Sequence, residues 1–213
     1  AGRFDQGRGE TQDLLAVVDT GGEQWPQKLV SGADFYMQPC WHPDGTRLAW
    51  VAWDHPHMPW DQTRLQLARL EVEGGLPQVV EVETLVDWLD VAALQPQFSP
   101  DGRWLAYLSD ESGWSNLYLY DLQSRSHRPL TNDQVDIGGP AWVQGVRAYG
   151  FAPDGGRIYY VRNEAGFDRL WIYDLEAEQT HPAGMPLDAY SHLGQIAISP
   201  QGRLALIASS STI

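Results

Sequence analysis

Among the 213 residues, four groupings have the types and spacing that chemistry uses. His55 and His57 alternate along an extended stretch flanked by Asp54 and Asp61, a pattern that suits a transition metal, yet no third His or Cys ligand is close in sequence. A rim loop that packs Met58 and Trp60 against a neighbouring element or a partner domain is the better reading. Ser109, His192 and any of the acids supply the residue types of a triad, but a triad is defined by geometry, not by composition. A nucleophile elbow needs Gly-x-Ser-x-Gly on a strained strand-to-helix turn. The nearest string, Gly113-Trp114-Ser115-Asn116-Leu117, fails at its last position. Asp101 with Asp154, and Asp121 with Asp174, recur at matching positions and invite a paired-carboxylate hydrolase. Such an enzyme needs two unlike environments around one cleft, whereas equivalent turns supply like ones. Trp60, Trp88, Trp114 and Trp142 lie in or beside irregular segments and are the candidate surface aromatics. Trp41, with Phe98 and Phe151 in the equivalent place, is expected in the core.

The elements that position these residues come from a repeat. Pro-Asp-Gly recurs at 43–45, 100–102 and 153–155, with a decayed copy, Pro-Gln-Gly, at 200–202, at spacings of 57, 53 and 47 residues. Proline presets φ, aspartate closes the turn with its side chain, and glycine takes the positive φ, so each copy predicts a hairpin between two strands. Phe98–Leu122 matches Phe151–Leu175 without a gap and with 11 of 25 identities, so the two units share one plan. That plan is strand, Pro-Asp-Gly turn, strand, Gly-centred turn, strand, Asp-bearing turn, and a last short strand. Four short antiparallel strands per unit make a propeller blade. The expected division is a half blade over 11–31, blades over 36–83, 93–133 and 142–184, and a half blade over 190–213. The first blade departs where Asp54 to Asp61 inserts extra residues, and its two prolines place that segment outside a ladder.

Composition agrees with an all-β chain: 10 Trp, 9 Tyr, 21 Gly and 14 Pro describe short strands joined by tight turns. A formal charge of −14 argues against nucleic acid or an anionic membrane as partner. The longest apolar stretches fall far short of the roughly twenty residues of a membrane-spanning helix. The single cysteine, Cys40, cannot form an internal disulfide, and a cytoplasmic compartment is expected. No catalytic, metal-ligating or cofactor-binding residue is assigned, and no cofactor is expected.

Four strings carry a resemblance: Trp-His-Pro-Asp-Gly-Thr-Arg-Leu-Ala-Trp (41–50), Asp-His-Pro-His-Met-Pro-Trp-Asp (54–61), Ser-Asp-Glu-Ser-Gly-Trp-Ser-Asn-Leu-Tyr (109–118) and Gly-Gly-Pro-Ala-Trp-Val-Gln-Gly (138–145). Together they resemble the N-terminal β-propeller of the prolyl oligopeptidase family, within it the bacterial acylaminoacyl-peptidase and dipeptidyl-aminopeptidase branch. The resemblance implies a serine peptidase in which a propeller caps a C-terminal α/β-hydrolase domain and admits short or N-acylated peptides. That domain, which carries the triad, is absent from these residues. On this reading His55, His57, Met58, Trp60, Asp61, Trp114 and Trp142 belong to loops that gate substrate or meet the hydrolase domain.

The rival reading is a free-standing binding propeller of the TolB type, which shares the Pro-Asp-Gly repeat; a sugar-binding propeller rests on the exposed tryptophans alone. The first residue is Ala1, with no methionine or signal peptide, so the left edge reads as a cut. The two half blades leave unpaired strand edges, through which a homo-oligomer is expected.

Overall fold

The computed structural model describes residues 2–5 and 11–211, and these form strands, turns and loops with no helix. β1 (Gly2–Asp5), β2 (Thr11–Val17) and β3 (Gln27–Val30) make a three-stranded sheet, one strand more than the pair expected over 11–31. β4 (Phe35–Trp41), β5 (Arg47–Trp53), β6 (Arg64–Glu73) and β7 (Leu76–Val86) follow as a sheet of four in chain order. A second sheet of four comprises β8 (Ala93–Phe98), β9 (Trp104–Ser109), β10 (Asn116–Asp121) and β11 (Ser126–Pro129). The third is β12 (Tyr149–Phe151), β13 (Arg157–Glu164), β14 (Phe167–Asp174) and β15 (Gln179–Pro182), and β16 (His192–Ile198) pairs with β17 (Leu204–Ser209). The chain is therefore all-β and built of antiparallel propeller blades.

Contacts divide it into two compact units, Ala1–Pro96 and Gln97–Ile213. The core of the first gathers Leu15 from β2, Tyr36 from β4, Leu48, Trp50 and Ala52 from β5, and Leu70 from β6. Trp50 is fully buried, and its indole N–H donates to Gln66 Oε1 at 3.0 Å, which satisfies the one polar atom it takes inside. In the second unit Val161, Leu170, Leu193 and Ile196 form a core shared by β13, β14 and β16.

The turn chemistry read from the repeat is present bond for bond. The glycine N–H of each copy donates to the carbonyl three residues back: Gly45 to His42, Gly102 to Ser99, Gly155 to Ala152 and Gly202 to Ser199, all at 2.9 Å. All four glycines have φ between 72° and 76°, where an L side chain is strained. The aspartates serve the turns too. Asp44, Asp101 and Asp154 accept from the backbone N–H two residues on, at 2.8, 3.1 and 3.0 Å. Asp121 Oδ1 caps Gln123 and Ser124, and Asp174 Oδ1 caps Glu176 and Ala177, at positions 53 residues apart. The paired carboxylates are thus turn caps.

One expectation fails. Trp41 is 47% exposed where its counterparts Phe98 and Phe151 are 6% and 5% exposed. β4 carries a bulge between Met37 and Cys40, with Gln38 at φ 53°, and the equivalence of the turns does not extend to what packs on each strand. The buried residue here is the next one, His42, whose Nδ1 lies 2.6 Å from Asp44 Oδ1.

Asp44 ties this turn to pH. Bonds from the Thr46 hydroxyl and then the Thr46 N–H hold its carboxyl down to about 2, from 3.8. A carboxyl depressed in the folded state contributes stability above its unfolded value and loses it as the folded group protonates. The melting temperature is therefore expected to fall between pH 4 and pH 2, and Asp44→Asn, melted across that window by circular dichroism, is expected to show a shallower fall. Identical pH slopes for the two proteins would refute the assignment.

Candidate functional site

The second unit contains a cavity of about 590 Å³, lined by the β9–β10 turn, the 134–148 connection, the β13–β14 hairpin and the start of β16. Its walls are made by local constraints that the sequence states only in part. The connection is seated by Ile137, whose N–H donates to Ser115 O at 2.8 Å, and by Gly138, whose N–H donates to Val161 O at 3.0 Å. Gly138 sits at φ 74°, and a Cβ there would lie 2.5 Å from the Ala148 Cβ, so no side chain fits between the connection and the strand behind it.

The Ser-Gly-Trp-Ser-Asn-Leu-Tyr string owes its form to Asn116, which is fully buried and fully bonded. Its Oδ1 accepts from Thr131 Oγ1 and Asp133 N at 2.8 and 2.9 Å. Its Nδ2 donates to Ser112 Oγ, Trp114 O and Asp133 O at 3.0 to 3.2 Å. The turn that presents Trp114 to the cavity is in this way stapled to the segment after β11.

On the opposite wall, Ala165 and Gly166 turn the β13–β14 hairpin with φ of 51° and 91°, the two positive values of a two-residue loop. This places Asn163 opposite Asp168. Asp168 accepts from three donors: Asn163 Nδ2 on Oδ1 at 3.1 Å, and His192 Nδ1 and Leu193 N on Oδ2 at 2.7 and 3.1 Å. Because a carboxylate only accepts, His192 Nδ1 carries the proton and Nε2 is turned away from Asp168. The imidazole lies over Gly194, where a Cβ would stand 3.5 Å from Nε2. A histidine oriented by a carboxylate is half of a triad, but Ser109, its partner on paper, is buried at the end of β9. Tyr160 on β13 is pushed up to about 12 by burial, and burial likewise raises the Glu111 carboxyl and then lifts its neighbour Tyr118 to about 12.

The residues singled out from sequence fall into both units. His55 to Asp61 lie between β5 and β6, outside any strand. The loop is braced: His55 N–H donates to Asp34 Oδ2 at 2.9 Å, Asp34 N–H to Asp54 Oδ1 at 2.8 Å, and Met58 N–H to Asp61 Oδ2 at 2.9 Å, so Asp61 is a cap within its own loop. His55 and Met58 are exposed, while His57 and Trp60 are half-buried. Among the described residues no three His, Cys, Asp or Glu side chains converge as metal ligands. In the second unit Trp114 lines the cavity, and Trp142 is 69% exposed on the connection.

Sequence reasoning missed Arg147, Asp168 and Gln195 on the cavity wall. For Gln195 a signal existed. Glutamine stands three residues before Trp41, Phe98 and Ile198, at 38, 95 and 195, each with φ between 51° and 56°. Gln38 uses its side chain to accept from Gln95 N at 2.6 Å. Arg147 and Asp168 had no such repeat to mark them.

A family model described as the TolB beta propeller domain matches residues 4–212. The Tol-Pal system protein TolB of Ruthia magnifica subsp. Calyptogena magnifica is 26% identical over 129 residues, which cover 61% of this chain and 27% of that protein. The crystal structure of a puromycin hydrolase superposes with a TM-score of 0.82 at 28% identity, over 94% of this chain and 30% of the other. A puromycin-hydrolyzing peptidase of Mycobacterium tuberculosis gives 0.76 at 29% identity, over 95% of this chain and 32% of the other. The chain therefore spans about a third or less of the length of each. The curated relative is a TolB, not an acylaminoacyl peptidase, and the link to peptidases comes from the solved structures.

Asn116→Asp replaces two donated N–H groups with an acceptor facing the carbonyls of Trp114 and Asp133. Denaturant unfolding is expected to show a loss of about 2–4 kcal/mol, the cost of a broken buried network. A change within about 0.5 kcal/mol, the range of a neutral surface substitution, would contradict that role.

Proposed function

Because the chain belongs to the TolB β-propeller domain family, we propose that it is the non-catalytic, substrate-gating propeller of a prolyl-oligopeptidase-family serine peptidase that hydrolyses short or N-acylated peptides. The observation that carries this reading is the likeness to the puromycin hydrolase, which extends over nearly the whole chain at a TM-score of 0.82. In the puromycin hydrolase and the puromycin-hydrolyzing peptidase the superposed part is 30% and 32% of the chain, which leaves room in each for a further domain beside the propeller. A propeller seated over a hydrolase site restricts entry to an opening between strands or domains, so a folded protein cannot present a scissile bond there. Trp114, Trp142 and Val143 support a contact with such a domain, since all three are exposed on the turn and connection that border the cavity.

The TolB relative favours a second reading, a binding propeller with no hydrolase attached. Reading the source frame on both sides of these residues separates the two. A Gly-x-Ser-x-Gly elbow followed by Asp and His is expected downstream, and a fluorophosphonate probe is expected to label that serine while leaving the 213-residue chain unlabelled. A frame with no elbow would transfer the chain to the binding reading. Stoichiometric labelling of a serine within the chain itself would overturn both.

A further inference from the structure

A second cavity of the same unit, about 520 Å³, lies against β14 and the connection after β15, and it shares no lining residue with the first. The connection that walls it is seated: Ala183 N–H donates to Leu170 O and Tyr190 N–H to Leu187 O, both at 3.0 Å. Trp171 lines the cavity, and its indole is fixed by its neighbours. The Arg162 guanidinium carbon stands 3.6 Å from the ring centroid, and the indole N–H donates to Glu164 Oε1 at 2.6 Å. Arg162 is itself held by Asp133 and Glu164 at 2.9 and 3.0 Å. Because Arg162 is not part of the lining, the ring meets the cavity on the side away from it.

Three charged side chains of the same lining have bonding capacity to spare. Arg169 spends Nη1 on Asp168 O and Tyr190 O at 2.8 and 3.3 Å, and among the described residues its Nε and Nη2 donate to nothing. Both bonds that Glu164 accepts fall on Oε1, which leaves Oε2. Asp188 is exposed and makes no hydrogen bond or ion pair among the described residues. One fork of donors beside two carboxylates selects against charge: an anion meets Glu164 and Asp188, and a cation meets Arg169. An apolar ring laid on Trp171 would strip water from all three and return no bond. A neutral ring with hydroxyls at its edge answers the guanidinium and the carboxylates alike, because a hydroxyl both donates and accepts. The C–H bonds on the face of a pyranose suit the negative π-face of an indole. Pro182 and Met185 add apolar border, and the volume falls within the roughly 300–1,000 Å³ of small-molecule sites.

We propose that this cavity binds a neutral sugar, one pyranose ring stacked on Trp171 with its hydroxyls bonded to Arg169, Glu164 and Asp188. A peptide amide also donates and accepts, but its N–H and C=O point to opposite sides of a plane, whereas adjacent ring hydroxyls lie side by side as a guanidinium fork or a carboxylate requires. The site does not rest on the gating reading: it is built from β13 to β15 and the connection that follows, whatever domain the propeller serves.

Saturation-transfer NMR and isothermal titration of the full chain test this, with the methyl glycosides of glucose, galactose and mannose and with N-acetyl-alanine methylamide as a neutral peptide probe. At least one glycoside is expected to bind with a dissociation constant on the order of 1 mM, the reach of a ligand of that size, and the peptide probe at least about tenfold more weakly. Trp171→Phe, which shrinks the platform, is expected to weaken the glycoside about tenfold, equivalent to one well-placed contact. Asp188→Ala, a change at an exposed side chain, is expected to weaken it severalfold with the unfolding midpoint unchanged. Trp25→Ala removes an indole that is 89% exposed in the other unit and is expected to change nothing. Failure of all the glycosides to bind, a peptide probe that binds as well, or glycoside binding that keeps its strength in Asp188→Ala or in folded Trp171→Phe would overturn the proposal. None of these outcomes bears on the gating reading, which the reading frame decides.

Discussion

Four of the five sheets depend on one bond, the glycine N–H that reaches back to the carbonyl three residues earlier, repeated four times at the same length. A tight reversal is the only way to place two adjacent strands in antiparallel register with so few residues between them, and reversal demands a positive φ that glycine alone adopts without strain. Once that turn is closed, the pairing of the first two strands of a blade follows from it, and the outer strands pair on the edge so created. The aspartates at 44, 101 and 154 add a side-chain bond to the same turn, which is why acids that look like a catalytic set in sequence are occupied by backbone N–H groups.

The cavity arises from the places where the repeat relaxes. Between β11 and β12 the chain runs through a long connection instead of a short loop, and its descent along β13 is possible only because Gly138 passes within contact of Ala148. Asn116 holds the facing turn by saturating every polar atom of its amide with neighbours far apart in sequence. Irregular segments fixed by buried, satisfied polar groups are held in one form, and they carry side chains that the repeat does not dictate. Arg147, Gln195 and the His192–Asp168 pair are such side chains.

The bulged glutamines show how one local geometry serves two ends. A residue at positive φ swings its side chain out of the alternation of the strand. At Gln38 the displaced amide is used within the protein, accepting from the next inner strand. At Gln195 the same displacement leaves an acceptor inside a cavity wall. The difference lies in the neighbours.

From the sequence alone the strand order within a blade, the turn types, the role of the recurring aspartates and the loop character of 54–61 were legible, because each depends on residues within a few positions of one another and on backbone preferences that proline, glycine and aspartate state locally. The exposure of Trp41 was not legible, since burial is set by whatever packs against a strand and equivalent turns do not ensure equivalent neighbours. Nor was the cavity. Its Arg147, Asp168, His192 and Gln195 are up to 48 residues apart in the chain and meet through a hairpin, a bulge and a seated connection, so only the tertiary structure decides which polar groups satisfy one another and which are left over.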